Sequence, residues 1–288
     1  MNKPEWFAPV VRQGYGARTG ARCMDGVTAA LEGVEAVFLD LDGTIYLGGG
    51  LIPGALDVLA RCEAQGVRRY FLSNNSSRSV TQYHAKLAGL GIPCTEEDIL
   101  LSTHDLLAWL RNEGIARTYA VATEGMCAMM EAAGFTTRDE DPEYVVLGYD
   151  TEVTYEKLQT ASVHLHRGVP LVASHPDMVC PSPDGGLPDV GAYLALFEAT
   201  TGVQPDHICG KPEPGMILHA IEALGLRPDQ CAMVGDRLYT DMAMANRAGV
   251  VGVLVLSGEA TQEDVDALSE DALQQPDVIV ESVDALLR

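Results

Sequence analysis

The sequence predicts an α/β protein built on a parallel sheet, with a second, smaller α/β domain inserted into the first. Three observations predict this. Short apolar runs alternate with longer amphipathic patterns along most of the chain. Gly91, Gly114, Gly134, Gly225 and Gly249 each follow a helical pattern, where a C-cap is expected. The polar clusters in FLDLDGT, YFLSNNSS and AMVGDRLYTD each stand at the C-terminal end of an apolar run. Open parallel sheets bind their ligands at that edge.

Taken in chain order, the apolar runs at 36–39, 69–72, 118–122, 144–147, 170–173, 232–234, 250–256 and 277–280 read as strands. The first, through Val37, Phe38 and Leu39, has no polar alternation and reads as buried on both faces. The helical patterns are 54–65, 80–89, 103–112, 125–133, 155–166, 190–200, 216–224, 240–248, 261–268 and 283–287. Residues 115–205 hold strand, helix, strand, a long loop and helix, and are read as the inserted domain. Residues 36–114 and 206–288 form the main one. The loop 174–187 is rich in Pro, Gly, Asp and Ser, and long loops in compact α/β units often carry function. Residues 1–35 read as an extension with basic residues and no apolar core of a secretory signal. A transit-peptide or interaction-arm reading of that extension stays open.

A length of 288 residues suits this two-domain arrangement. The formal charge of −22, from 19 basic and 41 acidic residues, argues against nucleic-acid or anionic-membrane partners, which need a basic face. No apolar run approaches the roughly 20 residues that span a bilayer. Seven dispersed cysteines without a CxxC pair fit reduced thiols in a cytoplasmic compartment and disfavour zinc. His164 and His166, two apart on a predicted helix, point to different sides and read as surface residues.

The chemistry concentrates at DLDG. Asp40 and Asp42 end a core strand, although buried carboxylates are costly and repel each other. An EF-hand would need Gly and Glu at positions held by Ile45 and Leu51. A P-loop would need Ser or Thr after Gly210–Lys211, where Pro212 stands, and GTIYLGGG does not supply G-x-G-x-x-G. An Asp-Gly turn remains as the plain alternative. That alternative weakens once Ser73 and Asn74 of LSNNSS, Lys211 of CGKPEPG, and Asp236 and Asp241 of GDRLYTD are brought to the same sheet edge. Three carboxylates, a hydroxyl with neighbouring amides and one ammonium would converge there, and hard oxygen ligands with open positions suit Mg²⁺. The cation would neutralise the clustered acids.

The ordered motifs DLDGT, LSNNSS, GKPEP and GDRLYTD resemble the haloacid dehalogenase (HAD) superfamily. In particular they resemble the NagD-like and p-nitrophenyl-phosphatase-like subgroup, subclass IIA. IPGALDVL, VTYEKL and ASHPDMVCPSPDGGLPDVGA extend the similarity from Ala36 to the C-terminus. The resemblance implies a Rossmann-like core with an inserted C2-type α/β cap at 115–205. It implies a Mg²⁺-dependent phosphatase acting on a small phosphorylated metabolite, such as a sugar phosphate, nucleotide or phosphoglycolate. Pairing of two copies through the cap is an implied partner arrangement. By similarity, Asp40 is the nucleophile and Asp42 the general acid and base. Asp40, Asp236 and the main-chain carbonyl of Asp42 hold the metal, with Asp241 behind them. Ser73, Asn74, Lys211 and the Gly43 amide face the phosphate, while Thr44 helps to shape the loop.

His175, Asp177 and Asp189, with Met178 beside them, are the cap-loop residues expected to set specificity. Asp189 stands where the family commonly has glycine or another small residue. Facing the site it would disfavour acidic leaving groups; capping helix 190–200 it would serve only the backbone. Transfer of the phosphoryl group to an acceptor alcohol, and a catalytically inactive scaffold with the same fold, are the competing functions.

Overall fold

A computed structural model describes residues 30–182 and 185–288. Most of the expected N-terminal extension, residues 1–29, lies outside them. Six parallel strands form the larger sheet, in the order Val278–Val280, Val251–Val255, Cys231–Gly235, Ala36–Asp40, Arg68–Ser73 and Ile99–Leu101. The first strand of the chain therefore lies in the middle. Its side chains alternate between two cores, which explains its unbroken apolar run. Val37 and Leu39 join the cluster with Val234, Phe71 and Val253. Ala36 and Phe38 join the one with Met233, Leu72 and Ile217. Phe38 is fully buried and stacks on Tyr70 at 5.5 Å. A side chain of that size contributes about 1.5–3 kcal/mol by leaving water.

A second parallel sheet has the order His207–Ile208, Leu171–Ala173, Tyr144–Leu147 and Thr118–Val121. Helices Tyr155–His166 and Val190–Thr201 pack on one face around Leu165, Leu194 and Phe197. On the other face Leu106, Leu110 and Met130 meet Val146 and Val172. The sheet reaches Ile208, three residues past the expected end of the insertion at 205.

Several elements differ from the sequence expectation. Strands Ile99–Leu101 and His207–Ile208 were not anticipated, because runs this short carry no measurable period. Two small antiparallel ribbons, Tyr46–Leu47 with Gly50–Leu51 and Val179–Cys180 with Leu187–Pro188, lie in segments read as loop. The helix expected at 240–248 opens with a π-helical turn, Leu238–Met242, and is α-helical only over Ala243–Ala248. The pattern at 283–287 makes a single 3₁₀ turn, Val283–Ala285. His164 corrects its surface assignment. It is buried, with its ring 5.3 Å from that of Tyr119, because its helix turns that face to the second sheet. The six cysteines of the described residues are free thiols. Among those residues no helix is long and apolar enough to cross a membrane.

Candidate active site

Strand order builds the site. Ala36–Asp40 lies between Arg68–Ser73 and Cys231–Gly235, with Asp40 paired to Leu72 and Leu39 to Val234. Asp40, Ser73 and Asp236 therefore emerge side by side at one C-terminal edge. They floor a cavity of about 670 Å³. Its walls include Arg237 and Glu259 from the main domain and Asp177, Val179 and Asp189 from the inserted one.

Carboxylate oxygens of Asp40, Asp236 and Asp241 lie within 4.8 Å of one another, and all three residues are buried. Lys211 Nζ is hydrogen-bonded to Asp40 Oδ1 and lies 2.8 Å from Asp241 Oδ1. Burial holds Asp40 well above the ordinary carboxylate range. Lys211 opposes that rise, while Asp241 and Asp236 add to it. Burial also pushes Asp236 up to about 6, helped by Asp241 and opposed by the Glu259 N–H. For Lys211, burial alone would favour the neutral amine, but Asp241 and Asp40 outweigh it and keep the ammonium charged.

Asp236 is gripped by its neighbours yet incompletely satisfied. The Glu259 N–H donates to its Oδ2 at 2.8 Å, whereas its buried Oδ1 has no hydrogen-bond partner. Gly43, at φ +92°, and Gly258 pack so closely on this carboxylate that a Cβ at either would overlap it. An orphaned buried oxygen beside two more carboxylates fits a hard divalent cation.

Asp42 behaves differently. It is exposed to the cavity, and its Oδ2 accepts a 3.0 Å hydrogen bond from the Tyr46 hydroxyl. Ser73 Oγ accepts from the Asn75 N–H at 3.2 Å and lies 2.9 Å from the Tyr83 hydroxyl. Asn74 lines the cavity, but its amide is engaged by protein groups. Its Oδ1 accepts from the Lys211 N–H at 2.7 Å, and its Nδ2 donates to the Lys211 carbonyl at 2.9 Å and to Asp177. Asn74 thus fixes the backbone of Lys211 and ties it to the cap loop. The phosphate contact expected from the Gly43 amide is corrected: that N–H donates to the Tyr46 carbonyl at 2.8 Å and closes the turn. Asp241 divides its two oxygens. One oxygen faces Lys211, and the other accepts from the Arg237 N–H at 3.1 Å.

The cap loop also combines two roles. Asp189 Oδ1 accepts from the Val190 N–H at 2.7 Å, as an N-cap does, and also pairs with His175 Nε2 at 2.9 Å. Asp189 and Asp177 reach the cavity wall, whereas His175 is fully buried behind them. Burial favours neutral His175, but the Asp189 bond and charge, with Asp177, outweigh it and raise its pKa; Lys211 opposes them. A histidine raised in the folded state stabilises fully below its unfolded pKa of about 6.5, and that stability is lost as pH rises through the folded value. The melting temperature should therefore fall between about pH 6 and pH 9. In His175→Asn this part of the pH dependence should disappear, which differential scanning calorimetry at the two pH values checks.

Three groups of contributors were not anticipated. Asp105 Oδ2 accepts the Gly210 N–H at 2.8 Å, and an acid on the buried side of helix Ser102–Asn112 was the available signal. Ser257, Gly258 and Glu259 close over Gly43 and Asp236, but SGEA carries no motif of its own. Tyr46 and the cavity-lining Lys86, beside Asp42, sit in a ribbon and a helix that looked purely structural.

The chain is similar to known proteins over most of its length. Residues 37–136 match the family model described as haloacid dehalogenase-like hydrolase, and residues 208–286 match a HAD-hydrolase-like model. The acid sugar phosphatase of Staphylococcus aureus is 34% identical over 233 residues, which is 80% of this chain and 90% of that protein. The crystal structure of 4-nitrophenylphosphatase from Thermotoga maritima superposes with a TM-score of 0.84 at 37% identity, covering 90% of this chain and 98% of that one. Glycerol phosphate phosphatase from Mycobacterium tuberculosis, solved in complex with magnesium, gives 0.83 at 29% identity, covering 90% and 78%.

Proposed function

Because this chain belongs to the haloacid dehalogenase-like hydrolases, among the NagD-like phosphatases, we propose that it hydrolyses a small phosphate monoester with a neutral, hydroxyl-bearing leaving group. The observation that carries this reading is the contrast between the two aspartates of DLDG. Asp40 is buried against Lys211, and Asp42 opens to the cavity. The sequence alone offered mutual repulsion to separate their roles; burial separates them further.

In this reading an Asp40 carboxylate oxygen attacks phosphorus and forms an acyl phosphate. The bond to the leaving oxygen breaks as Asp42 gives that oxygen its proton. Water then attacks the acyl phosphate and passes a proton to Asp42. Inorganic phosphate leaves and the Asp40 carboxylate is restored. Lys211 Nζ and the Ser73 hydroxyl would hold the phosphoryl oxygens; Asn75 and Tyr83 can both donate to Ser73 and leave its own hydrogen free. The carboxylates of Asp40, Asp236 and Asp241, with the Asp42 carbonyl implied by the motif, would hold Mg²⁺. That ion would supply charge neutralisation for the phosphoryl group.

The leaving group meets Asp42, Asp177 and Asp189. Carboxylates accept hydrogen bonds from sugar or polyol hydroxyls and repel an acidic leaving group. A phosphate-release assay on glycerol phosphate, a hexose phosphate, a nucleotide and phosphoglycolate tests this. Neutral polyol and sugar esters should be cleaved with kcat/KM at least about tenfold above phosphoglycolate. Activity should vanish on chelation and return with Mg²⁺. A preference for phosphoglycolate, or full activity in chelator, would refute the corresponding part.

A further inference from the structure

We propose that Lys86 and Tyr46 form a positioning relay that assigns the catalytic proton to one particular oxygen of Asp42. The inference deepens the phosphatase reading and rests on it. The Lys86 Nζ donates to the Tyr46 hydroxyl at 2.8 Å, and that hydroxyl donates to Asp42 Oδ2 at 3.0 Å. An ammonium can only donate. Lys86 therefore occupies the acceptor side of the Tyr46 oxygen and turns the single Tyr46 hydrogen toward Asp42. Oδ2 is then permanently an acceptor. A proton held by Asp42 must sit on Oδ1, the oxygen left for the cavity.

The parts are built to hold this direction. The Tyr46 ring is fully buried, which keeps its hydroxyl protonated, and Lys86 Nζ also lies 4.3 Å from the ring centroid. Tyr46 is fixed by its ribbon pairing with Leu51 and by the Gly43–Tyr46 turn. Lys86 stands one turn after Tyr83 on helix Val80–Gly89, so the two share a face. Tyr83 meets Ser73 while Lys86 serves Tyr46. A single helix face thus orients both the phosphate-binding hydroxyl and, through Tyr46, the proton donor. This helix lies outside the four motifs that marked the site in the sequence.

In the first half-reaction the Oδ1 proton passes to the leaving oxygen as its bond to phosphorus breaks, giving the free alcohol and the Asp42 carboxylate. An alkoxide needs that proton, whereas 4-nitrophenolate leaves without it. The value of kcat/KM covers only the steps up to release of the alcohol, so it isolates this transfer.

The test compares kcat/KM for glycerol phosphate and for 4-nitrophenyl phosphate in the full-length protein with Mg²⁺. Tyr46→Phe keeps the ring and removes only the hydroxyl, and Lys86→Met keeps most of the stem and removes the charge. Each should lower the alkyl-to-aryl ratio by about tenfold, part of the roughly 10²–10⁴-fold that a general acid supplies. Equal losses on both esters in the two variants would overturn the relay and make the residues structural or substrate-binding. An unchanged ratio would overturn it as well. Two controls stand apart from the ratio: if the unaltered protein cleaves neither ester with Mg²⁺, the phosphatase reading has failed, and if Asp40→Asn still cleaves both, the Asp40 route has failed.

Discussion

Asp40→Asn is expected to abolish phosphate-ester hydrolysis, with kcat falling by at least about 10⁴-fold, while the folded protein becomes no less stable. The substitution preserves shape and removes the proposed nucleophile. Loss of a nucleophile that carries the covalent step costs this much in enzymes that depend on one. Asp40 is buried beside Lys211, Asp236 and Asp241, and its raised pKa shows that ionising it there is unfavourable. A neutral amide removes one of three clustered negative charges, so the melting temperature at pH 8 should stay level or rise. Steady-state assay and thermal melts on the same preparation check both halves. A loss of less than tenfold would rule out the covalent route. A large drop in melting temperature would mean that the activity loss reports misfolding.

Lys211→Met is expected to do the opposite to stability. Lys211 is 4% exposed and provides the cation facing both Asp40 and Asp241. Methionine fills much of the same stem volume but leaves two buried carboxylates facing each other. Removing one partner of a buried ion pair costs about 3–5 kcal/mol. In the proposed reaction the same ammonium meets charge on the transferring phosphoryl group, so kcat/KM should also fall about 10²–10³-fold. The stability loss should shrink toward pH 5, because Asp40, whose pKa burial raises, can take up a proton there. Sign and mechanism agree: with a raised folded pKa, the favourable contribution of Asp40 lies at low pH and is lost as pH rises. Adding Asp40→Asn to Lys211→Met should recover part of the loss, since residues in contact do not act additively. Urea unfolding of the wild type, both single variants and the double variant at pH 5 and pH 8 measures the coupling.

These two residues also show why the sequence was readable as far as it was. Asp40 follows Val37, Phe38 and Leu39, and a buried run that ends in an acid is visible without coordinates. Lys211 sits between glycine and proline, where a solvated lysine needs no such setting. Asp189 was ambiguous because N-caps and cavity acids use the same residue type, and in the structure one oxygen serves the backbone and His175 together. Gly43 was misassigned because a turn glycine's N–H can go to a ligand or to the chain, and the choice depends on the Tyr46 carbonyl.

By itself the sequence determined the alternation of strands and helices, the inserted second domain, and the acid, hydroxyl and ammonium groups that the strand ends deliver. Those features follow from local periodicity and from residue chemistry next to it. Only the tertiary structure decided that Asp241 shares Lys211 with Asp40, that Asn74 spends its amide on Lys211 and Asp177, and that Lys86 directs Tyr46 toward Asp42. A hydrogen bond has a direction and a length of about 3 Å. Which of several nearby donors a carboxylate receives is set by the packing of strands and helices far apart in the chain, and that packing leaves no period in the sequence to read.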